Sequence, residues 1–193
     1  MINFKNTKFI KSAPDFSFAP KDRLLPEILL VGKSNVGKST LINTMCENKS
    51  LAKVSSTPGA TKYLNYFLLD DKYYLVDAPG YGFVSDKNFA FTKTMDSMFT
   101  SKKLKGIVFI LDSRRTLTDD DKVFYNFLID KNLPFVIALA KSDKLNQSER
   151  VKIIKEIHKY FVIVKDNEIV FISNKDKASI NKLKDKIEYL LKL

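Results

Sequence analysis

The chain has 193 residues, of which 45% are hydrophobic and 28% are charged, and its formal net charge is +11. This length predicts one domain, and the composition excludes a disordered tail, a collagen-like protein or a coiled-coil fibre. No apolar run reaches the roughly 18 to 20 residues that span a bilayer, and residues 1–18 lack the pattern of a secretory signal. We therefore expect a cytoplasmic protein without a membrane partner. A single cysteine and a single histidine exclude an internal disulfide and a zinc site built from several such ligands.

The surplus of positive charge bears on the kind of partner. Lysine and arginine displace condensed counterions from phosphates, so the charge favours a nucleic acid. Only four of the 33 basic residues are arginine, and a genome of biased base composition would give the same lysine surplus without any partner. The charge alone leaves nucleic-acid binding and simple solubility both open.

Short apolar runs alternate with amphipathic stretches along the chain. Residues 1–26, which contain Pro14, Pro20 and Pro26, are predicted to be an irregular N-terminal extension, a strand or arm packed on the domain. Strands are predicted at 27–31, 63–69, 73–76, 106–111, 134–139 and 168–172, with residues 70–72 as a hairpin turn. Helices are predicted at 38–46, 87–103, 118–131, 147–160 and 177–193.

This order of elements predicts an α/β fold. The strands are continuously apolar, as is typical of strands that are covered on both faces. Helices between successive strands give a three-layer α/β/α arrangement around a mainly parallel six-stranded sheet, in which the hairpin contributes one antiparallel edge strand. Residues 1–193 are expected to form this single domain.

The strongest motif directly follows the first predicted strand. Residues 32–39, GKSNVGKS, fit the pattern GxxxxGK[ST] between a strand and a helix. In such a loop the backbone amides curl around phosphate oxygens, and side chains at Gly32 or Gly37 would obstruct that path. We expect Lys38 to reach the β- and γ-phosphates and the Ser39 hydroxyl to bind Mg²⁺. The motif predicts a nucleotide-binding loop at the positive end of a helix.

Motifs at the ends of later strands indicate which nucleotide is bound. Asp77 is placed to hold Mg²⁺ through water, and the Gly80 amide can meet a γ-phosphate. Asp143, which ends the sequence AKSD, can accept two hydrogen bonds from guanine, whereas adenine presents an acceptor there. Ser173 and Asn174 follow the last apolar run and are expected to contact the base through backbone N–H groups. Because ligands of open α/β sheets bind beyond the carboxyl ends of strands, these motifs predict one site for GTP.

Taken together, the motifs resemble those of the EngB (YihA/YsxC) family of bacterial GTPases, in the TrmE-Era-EngA-EngB-Septin-like class. The resemblance extends from the first predicted strand to the last helix and includes STPGAT at 56–61, DAPGYG at 77–82 and LDSRR at 111–115. It implies a P-loop GTPase with the Ras-like fold, which binds GTP, GDP and Mg²⁺. It also implies assembly of the large ribosomal subunit, contact with its rRNA and a role in cell division. We expect a monomer.

The resemblance also assigns roles to individual residues. Thr61 closes onto Mg²⁺ and the γ-phosphate in a first switch at 48–62, and a second switch runs from Asp77 to about residue 96. The implied catalytic residues are Lys38, Thr61, Gly80 and Asn35, and the implied metal-binding residues are Ser39, Thr61 and Asp77. The full set of expected nucleotide contacts is Gly32, Lys33, Ser34, Asn35, Val36, Gly37, Lys38, Ser39, Thr40, Gly59, Ala60, Thr61, Asp77, Ala78, Pro79, Gly80, Lys141, Ser142, Asp143, Ile172, Ser173 and Asn174.

Three positions modify the expected chemistry. Tyr81 follows Gly80, so the glutamine that orients water in Ras-like enzymes is missing, and hydrolysis is expected to be slow without a partner. Asn35 stands where related GTPases bind potassium, which makes K⁺ a candidate cofactor. Ala140 replaces the Asn or Thr that usually begins the base-recognition motif and braces the phosphate loop, so a lower affinity for guanine is expected, although Asp143 should preserve the preference for it.

Two other functions remain open at this point. A nucleotide-gated module that binds RNA or the ribosome with negligible hydrolysis agrees with the missing glutamine. A P-loop ATPase or small-molecule kinase agrees with the phosphate loop, although Asp143 argues against it because a carboxylate there rejects adenine. Cleavage of GTP and competition by ATP would separate the three.

Overall fold

A computed structural model of the chain describes residues 1–21, 24–54, 63–81, 98–99 and 101–193. A seven-stranded sheet lies at the centre of the fold. The strands are β1 (Thr7–Ala13), β2 (Glu27–Gly32), β3 (Leu64–Leu69), β4 (Tyr73–Asp77), β5 (Leu104–Asp112), β6 (Phe135–Ala140) and β7 (Ile169–Phe171). The α-helices that are described over their whole length are α1 (Lys38–Met45), α2 (Asp119–Asp130), α3 (Gln147–Tyr160) and α4 (Lys177–Leu191).

The strands lie in the order β1-β3-β4-β2-β5-β6-β7. The pairs β2–β4, β2–β5, β5–β6 and β6–β7 are parallel, whereas β3 is antiparallel to both β1 and β4. The predicted α/β fold is confirmed, with a mainly parallel sheet and an antiparallel strand from the hairpin, and β1 adds a seventh strand outside that hairpin. The carboxyl ends of β2, β4, β5, β6 and β7 lie at one end of the sheet, where a ligand site is expected.

Two stretches differ from their sequence-based descriptions. The extension at 1–26 is a strand over part of its length, and β1 is hard to recognise because its five central residues are exposed and no apolar pattern marks it. The helix predicted at 87–103 falls largely outside the described residues, although Met98 and Phe99, which are described, are helical as predicted. At its end the prediction is wrong, because residues 101–103 form a turn in which the Lys103 amide donates to the Ser101 hydroxyl.

Apolar side chains cover both faces of the sheet. Neighbouring residues of a strand point to opposite faces, so Leu29 and Leu30 of β2 belong to different clusters. One cluster includes Phe124 of α2 and Ile157 of α3, and the other includes Leu183 of α4. This double coverage explains the continuously apolar strands. Among the described helices, none combines the length and apolarity that crossing a membrane requires.

Candidate functional site

The loop between β2 and α1 is shaped to hold an anion. Gly37 precedes α1 with φ at +109°, a backbone conformation that residues with a side chain rarely adopt. A Cβ atom at Gly32 would lie 2.5 Å from the carbonyl oxygen of Ile110, so this position also excludes a side chain. Backbone amides and the N-terminus of α1 therefore supply the positive potential that a phosphate chain requires.

Lys38, Ser39 and Asp77 meet below this loop. Lys38 and Asp77 are both buried, and burial lowers the pKa of Lys38, although the Asp77 charge opposes this. Burial raises the pKa of Asp77 to about 6, against the Lys38 charge and hydrogen bonds from Asn65 and Ser39. Asp77 Oδ1 is buried without a hydrogen-bond partner in the part of the chain that is described. A divalent cation with oxygen ligands fits this oxygen and the Ser39 hydroxyl.

The candidate base-recognition residue, Asp143, lies in the loop after β6. Its Oδ1 accepts a hydrogen bond of 3.0 Å from the Ser173 hydroxyl, and this bond lowers the pKa of Asp143. The Lys144 and Lys175 ammonium groups each lie 4.0 Å from Asp143 Oδ2 and lower it further. The carboxylate is therefore ionised at neutral pH, as an acceptor for guanine must be.

Asp112, at the end of β5, has a role that the sequence analysis missed. Its Oδ2 accepts from Lys141 Nζ at 2.9 Å and from Arg114 Nη2 at 2.8 Å, and its Oδ1 accepts from Arg114 Nε at 2.9 Å. Burial opposes ionisation of Asp112, but the hydrogen bonds from Arg114 and Lys141 outweigh it, so the pKa lies below its usual range. A carboxylate at the end of an apolar run, as at Asp77, is the signal that could have identified it.

The phosphate loop is braced from the base-recognition motif although Ala140 has no polar side chain. Lys141 Nζ lies 3.4 Å from the Asn35 carbonyl oxygen, to which it donates. The Ala140 carbonyl accepts from both the amide and the hydroxyl of Ser113, at 3.0 and 2.7 Å. Lys141, aligned by Asp112, therefore forms the link that an Asn or Thr side chain usually provides.

Replacing Asp112 by alanine should weaken GDP binding by about tenfold, because it removes a charge-assisted hydrogen bond, worth about 1.5 kcal/mol, that aligns Lys141. Titration with a fluorescent GDP analogue measures this affinity. Asp130→Ala, an exposed position at the end of α2, is the control and should leave it unchanged. An Asp112→Ala variant with unaltered affinity would show that Lys141 needs no alignment.

The structure brings four of the predicted loops together. Hydrogen bonds join Ser34 to Tyr81, Lys141 to Asn35, and Ser142 to Ile172. The expected contacts Gly59, Ala60 and Thr61 lie outside the described residues. The Ser173 amide, predicted to contact the base, donates to Ser179 Oγ at 3.0 Å, and the Ser173 hydroxyl reaches the base-recognition loop.

Known proteins are similar to this chain over almost its whole length. The sequence model of the family described as 50S ribosome-binding GTPase matches residues 27–141. The chain is 44% identical over 187 residues to the probable GTP-binding protein EngB of Caldanaerobacter subterraneus subsp. tengcongensis, covering 94% of this chain and 95% of that protein. It is 42% identical over 192 residues to the probable GTP-binding protein EngB of Mycoplasma mycoides subsp. mycoides SC, covering 97% of each.

Solved structures share the fold. A crystal structure of a probable GTP-binding protein EngB superposes with a TM-score of 0.66 at 24% identity, covering 86% of this chain and 98% of that one. Era in complex with MgGDPNP and a segment of 16S ribosomal RNA superposes with a TM-score of 0.63 at 25% identity, covering 87% of this chain and 56% of Era. These matches show the P-loop GTPase fold, and the sequence matches show the family. The chain belongs to the EngB family of GTP-binding proteins, within the 50S ribosome-binding GTPases.

Proposed function

We propose that this protein hydrolyses GTP to GDP slowly in the cytoplasm, as a monomer, and that its nucleotide state controls its association with the large ribosomal subunit. The observation that supports this most strongly is the arrangement of Lys38, Ser39 and Asp77 at one end of the site and Asp143 at the other. The family description and the net charge of +11 support a partner rich in phosphate, such as rRNA.

Some residues of the site would bind Mg²⁺ and the nucleotide, and others would stabilise negative charge on the phosphates. The Ser39 hydroxyl and Asp77 would hold Mg²⁺, with Asp77 acting through water and Thr61 proposed as a further ligand. When bound, Mg²⁺ neutralises phosphate charge. Lys38 adds a cation at the β- and γ-phosphates, the Gly80 amide donates to the γ-phosphate, and Asp143 accepts hydrogen bonds from guanine.

Single-turnover cleavage of GTP, with and without large ribosomal subunits, tests this proposal. We expect a slow reaction alone, on the order of 10⁻³ s⁻¹ as in GTPases without an activator, because Tyr81 cannot orient water as glutamine does. Subunits should accelerate it. GTP-dependent association without any cleavage would instead support the nucleotide-gated binding module, and GDP displaced by equimolar ATP would contradict recognition of guanine.

Potassium should accelerate GTP hydrolysis about tenfold over sodium at equal ionic strength, because a cation beside Asn35 would neutralise charge that develops in the transition state. Turnover in each salt measures this ratio. Asn35→Gly removes the side chain at a position where φ is +63° and glycine is unstrained. The variant should hydrolyse GTP at the same rate in potassium and in sodium but keep its GDP affinity. Equal rates in both salts would exclude a potassium site.

A further inference from the structure

Tyr81, in the second switch, is fixed by hydrogen bonds of both its backbone and its side chain. Its carbonyl oxygen accepts a hydrogen bond of 3.2 Å from the Ser34 amide, and an isolated parallel β-bridge joins it to Lys33. Its hydroxyl donates to Asp121 Oδ1 at 2.5 Å. Tyr81 and Asp121 are 7% and 6% exposed, so this contact between the second switch and α2 is shielded from water.

Asp121 is itself fixed in position. Its Oδ2 accepts from the Thr118 amide and the Thr118 hydroxyl, each at 2.7 Å, as part of the capping box that begins α2. The Tyr81 ring also stacks on Phe124, with 5.6 Å between ring centroids. The hydroxyl and the ring of Tyr81 therefore both rest on the first turns of α2.

Gly80, next to Tyr81, packs tightly against the phosphate loop. A Cβ atom at Gly80 would lie 2.7 Å from Ser34 Oγ and 2.8 Å from Ser34 N. The position of the Gly80 amide is thus set by Ser34 on one side and by the anchored Tyr81 on the other. GDP has no γ-phosphate, so a small shift of this amide should affect GTP and leave GDP unaffected.

We propose that Tyr81 and Asp121 are positioning residues that hold the Gly80 amide for a γ-phosphate and link that phosphate to the N-terminus of α2. The inference rests on the proposed function and deepens it, because it names the contact through which the site distinguishes GTP from GDP. A purely structural contact would change the affinities for both nucleotides by the same factor.

The test is the affinity of Tyr81→Phe for GDP and for a non-hydrolysable GTP analogue, both with Mg²⁺. The affinity for the analogue should fall by about tenfold or more, as expected for one buried hydrogen bond to a charged group, while the GDP affinity stays within about twofold. Tyr125→Phe is the matched control on α2. Tyr125 is also buried, but its hydroxyl accepts from the Ile163 amide, so both affinities should be unchanged.

Asp121→Ala, which removes the acceptor of the Tyr81 hydroxyl, is a second way to break the same contact. In the Asp121→Ala background, Tyr81→Phe should cause little further loss of affinity for the analogue, because the two substitutions remove one interaction. Equal losses for GDP and the analogue, additive losses, or no loss would each overturn the inference. Failure of the wild-type protein to bind either nucleotide would overturn the proposed function instead, so the two failures are distinguishable.

Discussion

Replacing Asp143 by asparagine should shift the preference of the site from GTP to xanthosine triphosphate. Guanine offers two donors to the carboxylate, whereas xanthine carries an acceptor where guanine has its amine. The carboxamide of asparagine can donate to that acceptor. Because a mismatched polar pair at the base is costly, GTP affinity should fall by about 100-fold or more. Competition of each triphosphate against labelled GDP, for both proteins, measures the shift.

The contacts of Asp143 within its loop can be kept when asparagine replaces it. The Ser173 hydroxyl donates to Asp143 Oδ1, and a carboxamide oxygen can accept the same bond. Asp143→Ala should lose affinity for GTP without gaining affinity for xanthosine triphosphate. Asp166 pairs with His158 on the surface, and Asp166→Asn should change neither affinity. An Asp143→Asn variant that keeps its preference for GTP would show that the base is recognised elsewhere.

Replacing Glu27 by glutamine should raise the free energy of unfolding at pH 8 by up to about 3 kcal/mol and change it little at pH 4. Glu27 is 1% exposed at the start of β2, and its Oε2 lacks a hydrogen-bond partner within the described residues. Burial raises its pKa from 4.5 to about 7, although the charge of Lys103 opposes this. Chemical denaturation at both pH values measures the difference between the variant and the wild type.

The sign of this stability change follows from the direction of the Glu27 pKa shift. The folded protein keeps the Glu27 proton more tightly than the unfolded chain, so this group lowers stability as the pH rises from about 4.5 to about 7. Glu188 is the opposite case, because the Ile2 amide, Lys192 and the N-terminal amine hold its pKa at about 2. Glu188→Gln should therefore destabilise the protein at pH 8. A Glu27→Gln variant that is less stable than the wild type at pH 8 would contradict the assigned burial cost.

Local patterns in the sequence determine most of the fold. The strands from β2 onward are continuously apolar because both faces are covered, and α3 begins and ends where its helical pattern does. By contrast, β1 is an exposed edge strand whose pairing with β3 brings together residues more than 50 positions apart. Such pairing depends on the partner strand, and no local period reveals it.

The same distinction holds for the site. Lys38, Asp77 and Asp143 could be predicted because each belongs to a short motif whose chemistry requires that residue type. The bond from Lys141 to Asp112 spans 29 positions, and the bond from Tyr81 to Asp121 spans 40. Side-chain partners at such separations depend on how strand ends meet in space, so the sequence alone did not predict them.

Calorimetric titration of the purified protein with GDP and GTP, in the presence of Mg²⁺, shows whether the site binds guanine nucleotides. We expect saturable binding of one guanine nucleotide per chain, no comparable binding of ATP, and a large loss of affinity in Lys38→Ala, which removes the buried cation from the phosphate site. The absence of measurable heat for either guanine nucleotide would contradict the site, and the proposed ribosomal role would lose its basis.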